Sequence, residues 1–209
     1  MQTKYMTIVF DDGPLPFMCE MVDLFNQYDF KAGFAVMGDR INDDTEYMLK
    51  HAIDNGFQLV GHSHSHPRLE TVTHEQVIKE MTEPIADVKN RTGYDMKNWA
   101  RLPNLCRDEQ VLQICKELKL ILLGHGMLCG HDWTPDANAE TIAKETLETA
   151  CDGAVACMHV REQTYKALVT ILPELKKRGF NLVTPDELFK IKGKTDIPFG
   201  VHIHNVNDI

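Results

Sequence analysis

The stretch Met6-Thr7-Ile8-Val9-Phe10-Asp11-Asp12-Gly13-Pro14 decides how this chain is read. Its first five residues are mostly apolar, with β-branched side chains among them, and form a strand. Gly13-Pro14 ends that strand at once. Asp11 and Asp12 stand side by side where it stops, and adjacent carboxylates repel unless a cation or a proton relieves them. Neighbours on a strand point in different directions, so one carboxylate can ligate a metal while the other stays close enough to act as a base. Taken alone, Asp-Asp-Gly reads equally well as a turn or a helix cap.

Working outward, a second polar cluster follows another short apolar run: Gly61-His62-Ser63-His64-Ser65-His66-Pro67. His62 and His66 share one face of a helical turn, and in an extended chain His62, His64 and His66 would all share a face. Ser63 and Ser65 are small enough to let the chain curl around an ion. Neutral imidazoles near carboxylates make a site for a borderline divalent metal such as zinc.

Between and beyond these clusters, strands and helices alternate. Phe17 to Tyr28 carries Met21, Leu24, Phe25 and Tyr28 at helical spacing. Ala32 to Met37 is extended, Asp44 to Asn55 helical with Gly56 as its stop, and Phe57 to Val60 a strand running into the histidines. Thr73-x-x-Gln76 is a capping box opening a helix to Thr92. Asn98 to Leu102 is extended, Asp108 caps a helix to Leu118, and Leu120 to Leu123 is a strand. The rest reads as a helix from Asn138 to Cys151, a strand from Ala154 to Met158, and a helix from Thr164 to Arg178 despite Pro173. A strand from Phe180 to Thr184 and a short helix from Asp186 to Phe189 follow. Residues 198–209 show no period and read as a loosely docked tail.

Seven short strands separated by helices imply a parallel sheet, either open or closed into a barrel. The polar candidates choose between them. Asp11-Asp12, His62, Arg101 and His159 each follow a strand, and a barrel gathers such ends on one face, whereas an open sheet spreads them along an edge. The expectation is a distorted (β/α) barrel of about seven parallel strands, one domain over residues 1–209.

Composition narrows the partners. A net charge of −9 disfavours nucleic acid and anionic membranes, while an uncharged glycan suffers no such repulsion. No apolar stretch has the length of a membrane span. Met1-Gln2-Thr3-Lys4 leads straight into the first strand, which suggests a cytoplasmic protein or a mature domain without its leader. The six cysteines form no CxxC pair and read as reduced, buried small hydrophobes, with a local Cys106–Cys129 disulfide as the alternative.

Three further positions complete the candidates. Arg101 has the fixed fork that holds a carboxylate, or makes an ordinary salt bridge. His159 follows the buried strand Ala154-Val155-Ala156-Cys157 and can serve as a general acid or a packed strand cap. Asp132-Trp133 lies in a loop. Trp133 and Trp99 are candidate sugar-stacking platforms, although core packing is the commoner role for a tryptophan.

In this order and spacing the chain resembles the polysaccharide deacetylases with the NodB homology domain, family 4 of the carbohydrate esterases. Val9-Phe10-Asp11-Asp12-Gly13 is similar to the first family motif, and His62-Ser63 through His66 to the second. Arg101-Leu102-Pro103-Asn104-Leu105 matches the third in part, Asp132-Trp133 the fourth, and Cys157-Met158-His159 the Leu-x-His of the fifth. The resemblance implies a metal triad of Asp12, His62 and His66, holding a divalent ion, Zn²⁺ or Co²⁺. It implies Asp11 as base oriented by Arg101, His159 as acid tuned by Asp132, and an oxyanion donor in the backbone N–H of Asn104. A metal-bound water would attack an acetyl group, with Trp133 beside the substrate.

Asn104-Leu105 is similar to the acetylxylan-esterase-like members, as is the run Pro173 to Phe180, so the expected substrate is O-acetylated xylan or xylo-oligosaccharide. Cys157 in place of leucine alters the acetyl pocket, and Leu102 in place of proline loosens the Arg101 loop. The alternatives are N-deacetylation of GlcNAc-containing glycans and an inactive carbohydrate-binding relative. A zinc amidohydrolase built on His62-x-His64 ranks below them, because that family carries its His pair on the first strand.

Overall fold

β1 (Lys4–Gly13) is the spine of the molecule, pairing in parallel with three other strands. The computed structural model describes residues 3–128 and 130–209. The remaining strands are β2 (Gly33–Val36), β3 (Gln58–Gly61), β4 (Trp99–Ala100), β5 (Ile121–Leu123), β6 (Met127–Leu128), β7 (Val155–His159), β8 (Phe180–Leu182) and β9 (His202–Ile203). Their order is β6-β7-β1-β2-β3-β4-β5-β9, with β8 added against the first residues of β1. The result is the distorted, nearly closed (β/α) barrel expected from the alternation.

Among the described residues the α-helices are α1 (Met18–Asn26), α2 (Glu46–Asp54), α3 (His74–Thr92), α4 (Glu109–Glu117), α5 (Ala139–Thr149), α6 (Glu162–Lys177) and α7 (Pro185–Ile191). Local chemistry sets their ends. Asp108 accepts from the N–H groups of Gln110 and Val111, and Asn138 from that of Thr141. Thr73 caps α3 through the Gln76 N–H, but the Gln76 side chain turns to Glu80 instead of closing a box. A reciprocal box does form between Thr184 and Glu187 at the start of α7.

Alternation along β1 sorts its side chains. Met6, Ile8 and Phe10 face outward beneath the helices, in a cluster with Phe25, Phe34 and Leu172. Val9 faces inward with Val60, Trp99, Leu123 and Ile203, and α7 plugs this interior with Leu188 and Phe189. Trp99 is 2 % exposed and meets Phe189 edge-on at 5.0 Å, so it is barrel core and not a sugar platform.

The C-terminal segment corrects a second expectation. β9 pairs with β5, then the chain crosses to β7: Val155 N–H donates to His204 O and Val206 N–H to Gly153 O. Val206 is fully buried. The segment therefore bridges β5 and β7, where the ring would otherwise gape. It shows no period because a few ladder bonds and two buried residues, Ile203 and Val206, do the docking. Cys106 is a free thiol, and its suggested partner Cys129 lies outside the described residues. Among the described residues, no helix is long and apolar enough to cross a membrane.

Candidate active site

At the carboxyl ends of β1, β3, β4 and β7 the inward rows run out of apolar residues and open into a cavity of about 430 Å³. Asp11 continues the inward row of Val9 and is 4 % exposed. Strict alternation would turn Asp12 away from the pocket. It does not, because the β1–β2 register slips between Phe10 and Gly13 and Asp12 takes a left-handed conformation, φ 68°. Both carboxylates therefore face the same space.

β3 delivers His62, whose Nδ1 donates to the Arg101 carbonyl at 2.9 Å and so leaves Nε2 as the free lone pair. The chain then curls through left-handed Ser63 and His66, with the His66 N–H donating to Ser63 Oγ at 3.0 Å. His62 Nε2 and His66 Nε2 lie 3.7 and 3.8 Å from Asp12 Oδ1. A tetrahedral zinc with bonds of about 2.0–2.1 Å holds neighbouring ligands about 3.4 Å apart. Two imidazoles and a carboxylate at this spacing fit a divalent ion with little movement. His64 points elsewhere: its Nδ1 sits 3.4 Å from Glu83 Oε2, and a Cβ on Gly38 would come within 2.3 Å of that nitrogen. Only glycine fits at 38.

The loop has an anchor that sequence reasoning missed. Glu80 of α3, 2 % exposed, accepts from the N–H groups of His64 and Ser65 at 2.9 and 2.7 Å. The Ser65 hydroxyl, at 2.8 Å, and the Gln76 amide donate to its other oxygen. Burial alone would raise its pKa, but these donors hold it below the ordinary 4.5. In sequence Glu80 is one acidic residue among several on an exposed-looking helix, and nothing marks it.

The opposite wall holds the proton-transfer candidates. Arg101 is fully buried inside the barrel mouth. Its Nη1 donates to Asp11 Oδ1 at 2.9 Å and to the Val9 carbonyl, and its Nη2 to the Gly124 carbonyl at 2.8 Å. Burial pushes the Asp11 carboxyl up, but Arg101, His62 and His159 together bring it below the ordinary 3.8. Across β7, His159 Nδ1 meets Asp132 Oδ1 at 2.7 Å, and Asp132 Oδ2 takes both the His159 N–H and the Thr164 hydroxyl. Burial lowers His159, yet Asp132, Asp11 and Asp12 outweigh it and lift the imidazole above 6.5. His62 goes the other way: burial dominates and lowers it.

Asn104 and Leu105, both left-handed, form one rim of the cavity, and Trp133, 37 % exposed, forms the other. Of the candidates read from the sequence, Asp11, Asp12, His62, His66, Asn104, Trp133 and His159 line one cavity, Arg101 and Asp132 stand behind Asp11 and His159, and His64 and Trp99 lie elsewhere. Arg161 joins them unannounced, its Nη1 donating to the Trp133 carbonyl at 3.1 Å. Chemically, the wall sets a carboxylate acceptor opposite an imidazole donor beside three metal-type ligands. That suits hydrolysis of an acyl group.

The polysaccharide deacetylase family model matches residues 1–122. A bifunctional xylanase/deacetylase of Pseudobutyrivibrio xylanivorans is 28% identical over 193 residues, which is 91% of this chain and 31% of that protein. A peptidoglycan-N-acetylglucosamine deacetylase of Listeria monocytogenes is 29% identical over 188 residues, 89% of this chain and 39% of that one. The chain thus spans between 31% and 39% of the length of these curated relatives. A family 4 acetyl xylan esterase from Clostridium thermocellum, solved with a cobalt ion, superposes with a TM-score of 0.88 at 28% identity, covering 97% of this chain and 99% of that one.

Proposed function

The chain belongs to the polysaccharide deacetylase family, and from that premise we propose that it is a metal-dependent hydrolase removing O-acetyl groups from xylan or xylo-oligosaccharides. The observation that carries this reading is the facing pair of pre-oriented proton carriers, Asp11 held by Arg101 and His159 held by Asp132, beside Asp12, His62 and His66. A binding protein needs neither base nor acid.

Asp12, His62 and His66 would hold a divalent cation, Zn²⁺ or Co²⁺, which when bound acidifies water and polarises an acyl oxygen. Asp11, ionised and fixed by Arg101, takes the proton of the attacking water on Oδ2. The Asn104 backbone N–H meets the charge that develops on the acyl oxygen, a contact worth about 3 kcal/mol. His159, its Nδ1 engaged by Asp132, presents Nε2–H to the departing sugar oxygen. Each proton carrier contributes about 10²- to 10⁴-fold. Trp133 offers its exposed face to a sugar ring.

Support for an O-acetyl substrate comes from Asn104-Leu105 in the third motif and from the similarity to an acetyl xylan esterase and to a xylanase/deacetylase. The peptidoglycan deacetylase relative favours the rival, an N-acetyl glycan. Acetate release separates the two, measured on acetylated xylo-oligosaccharides and on chitin oligosaccharides, after chelation and again with zinc or cobalt restored. Metal-dependent release from the xylo-oligosaccharides supports the proposal. Release from chitin oligosaccharides alone keeps the mechanism and overturns the substrate, and release from neither overturns both.

A further inference from the structure

Cys157 and His159 are two apart on β7, so both face the barrel interior, and Asp11 stands opposite His159 on β1. One carboxylate oxygen, one sulfur and one imidazole nitrogen of this trio fall within 4.8 Å of one another. The Cys157 thiol donates to Asp11 Oδ2 at 3.4 Å, while Arg101 Nη1 donates to Oδ1. No residue is shared with Asp12, His62 and His66.

The surroundings are those of a metal centre. A ligating histidine donates its far ring N–H to a carboxylate, and the 2.7 Å bond from His159 Nδ1 to Asp132 does this, aiming Nε2 at the trio. Thiolate, imidazole and carboxylate with one position open is a zinc-type donor set, and sulfur selects Zn²⁺ or Cd²⁺ over Mg²⁺, Ca²⁺ or Mn²⁺. Three carboxylates, Asp11, Asp12 and Asp132, stand around this cavity with two guanidiniums, Arg101 and Arg161. With leucine at 157, as in the family motif, the third donor would not exist.

We propose that Asp11, Cys157 and His159 form a second cation site, selective for thiophilic divalent ions, whose occupation switches the enzyme off. On binding, the Cys157 thiol releases its proton to solvent and its sulfur lone pair goes to the ion. His159 likewise gives up its Nε2 proton to solvent and enters as neutral imidazole through that nitrogen, and Asp11 enters through Oδ2. No oxidation is involved. The Asp11 lone pair and the His159 Nε2 proton are then no longer available for catalysis; the switch-off rests on the function proposed above, whereas the site itself does not.

The test is a Cd²⁺ titration of the intact protein already holding one equivalent of metal, following cadmium–thiolate absorption and acetate release together. The expected result is a second equivalent bound, a thiolate band growing with it, and activity falling by about 10²-fold or more. Mg²⁺ at the same excess leaves both unchanged. In Cys157→Ser and Cys157→Leu the band disappears, and the ratio of activities with and without excess Cd²⁺ returns to near one. A single equivalent with no band, or a band of undiminished size in both variants, overturns the site. A Cys157-dependent band with unchanged wild-type activity overturns the switch. A Cys157-dependent band in a protein that releases no acetate from any glycan upholds the site and sinks the function proposed above. If either variant fails to fold, the other and the wild-type stoichiometry still decide.

Discussion

The two halves of the pocket are built by opposite means. Asp11 and His159 end regular strands, Arg101 follows β4 directly, Asp132 lies in a loop, and the pairs Asp11–Arg101 and Asp132–His159 are fixed by short bonds of 2.7–2.9 Å between opposite charges. Asp12, His62 and His66 stand 3.7–3.8 Å apart, beyond hydrogen-bonding range, on a bulge and a left-handed loop. His66 is 31 % exposed at its side chain, and left-handed residues other than glycine cost about 1–3 kcal/mol each. One half is finished by the fold. The other, on the function proposed above, would be finished by a cation, and its loop and bulge hold left-handed residues in readiness for it.

The sharpest way to break this division is a pair of substitutions. Asp11→Asn should lower kcat/KM by about 10²- to 10⁴-fold while a calorimetric metal titration stays unchanged. His62→Ala should lose activity and metal together. If Asp11→Asn also abolishes metal binding, the two halves are one unit and the contrast is false.

Next in size is stability. Arg101→Met leaves Asp11 as an unpaired buried charge and should cost about 3–5 kcal/mol in denaturant unfolding, chelator present or absent. His66→Ala, at a half-exposed loop position, should cost the chelated protein no more than about 0.5 kcal/mol. It should nevertheless remove the metal-linked gain, which reaches about 2.7 kcal/mol at a hundredfold excess over Kd. A large cost of His66→Ala in chelator would show that the loop is finished without the ion.

A smaller effect tests the anchor behind the loop. Glu80→Gln keeps the shape but replaces a charge that accepts four donors. Metal affinity should fall by about 10-fold or more, while kcat at saturating metal stays close to wild type. A fall in kcat with unchanged affinity would place Glu80 in the wrong half.

The same division explains what could be read from the chain alone. Strands β1, β2, β3, β5 and β7 were legible because each is an apolar run ended by turn or polar residues, and Asp108 because capping is local chemistry. Residues carried by strand ends, Asp11, Arg101 and His159, followed from those strands. Asp12 needed its bulge, and no periodicity announces a left-handed residue. Glu80 acts through tertiary contacts of α3 with a distant loop. β6 and β9 are two residues each, too short for any pattern, and their pairing is decided by what the ring leaves open.

The smallest effect is on pH. The two halves move their histidines apart: burial takes His62 below 6.5, while Asp132 and the neighbouring carboxylates outweigh burial and take His159 above it. On the function proposed above, such a split favours a neutral ligand at His62 and a protonated acid at His159 at the same pH. On the function proposed above His159 acts protonated, so its raised pKa extends activity toward alkaline pH, and activity is lost as pH rises through that raised value. Asp132→Asn removes the largest upward influence and leaves burial, which pulls down. The alkaline limb of kcat/KM should therefore retreat toward or below ordinary imidazole, and the acid limb, governed by Asp11 and held low by Arg101, should stay in place. A limb that does not move would mean that the proton on the leaving oxygen comes from elsewhere, and that Asp132 serves only to hold the ring.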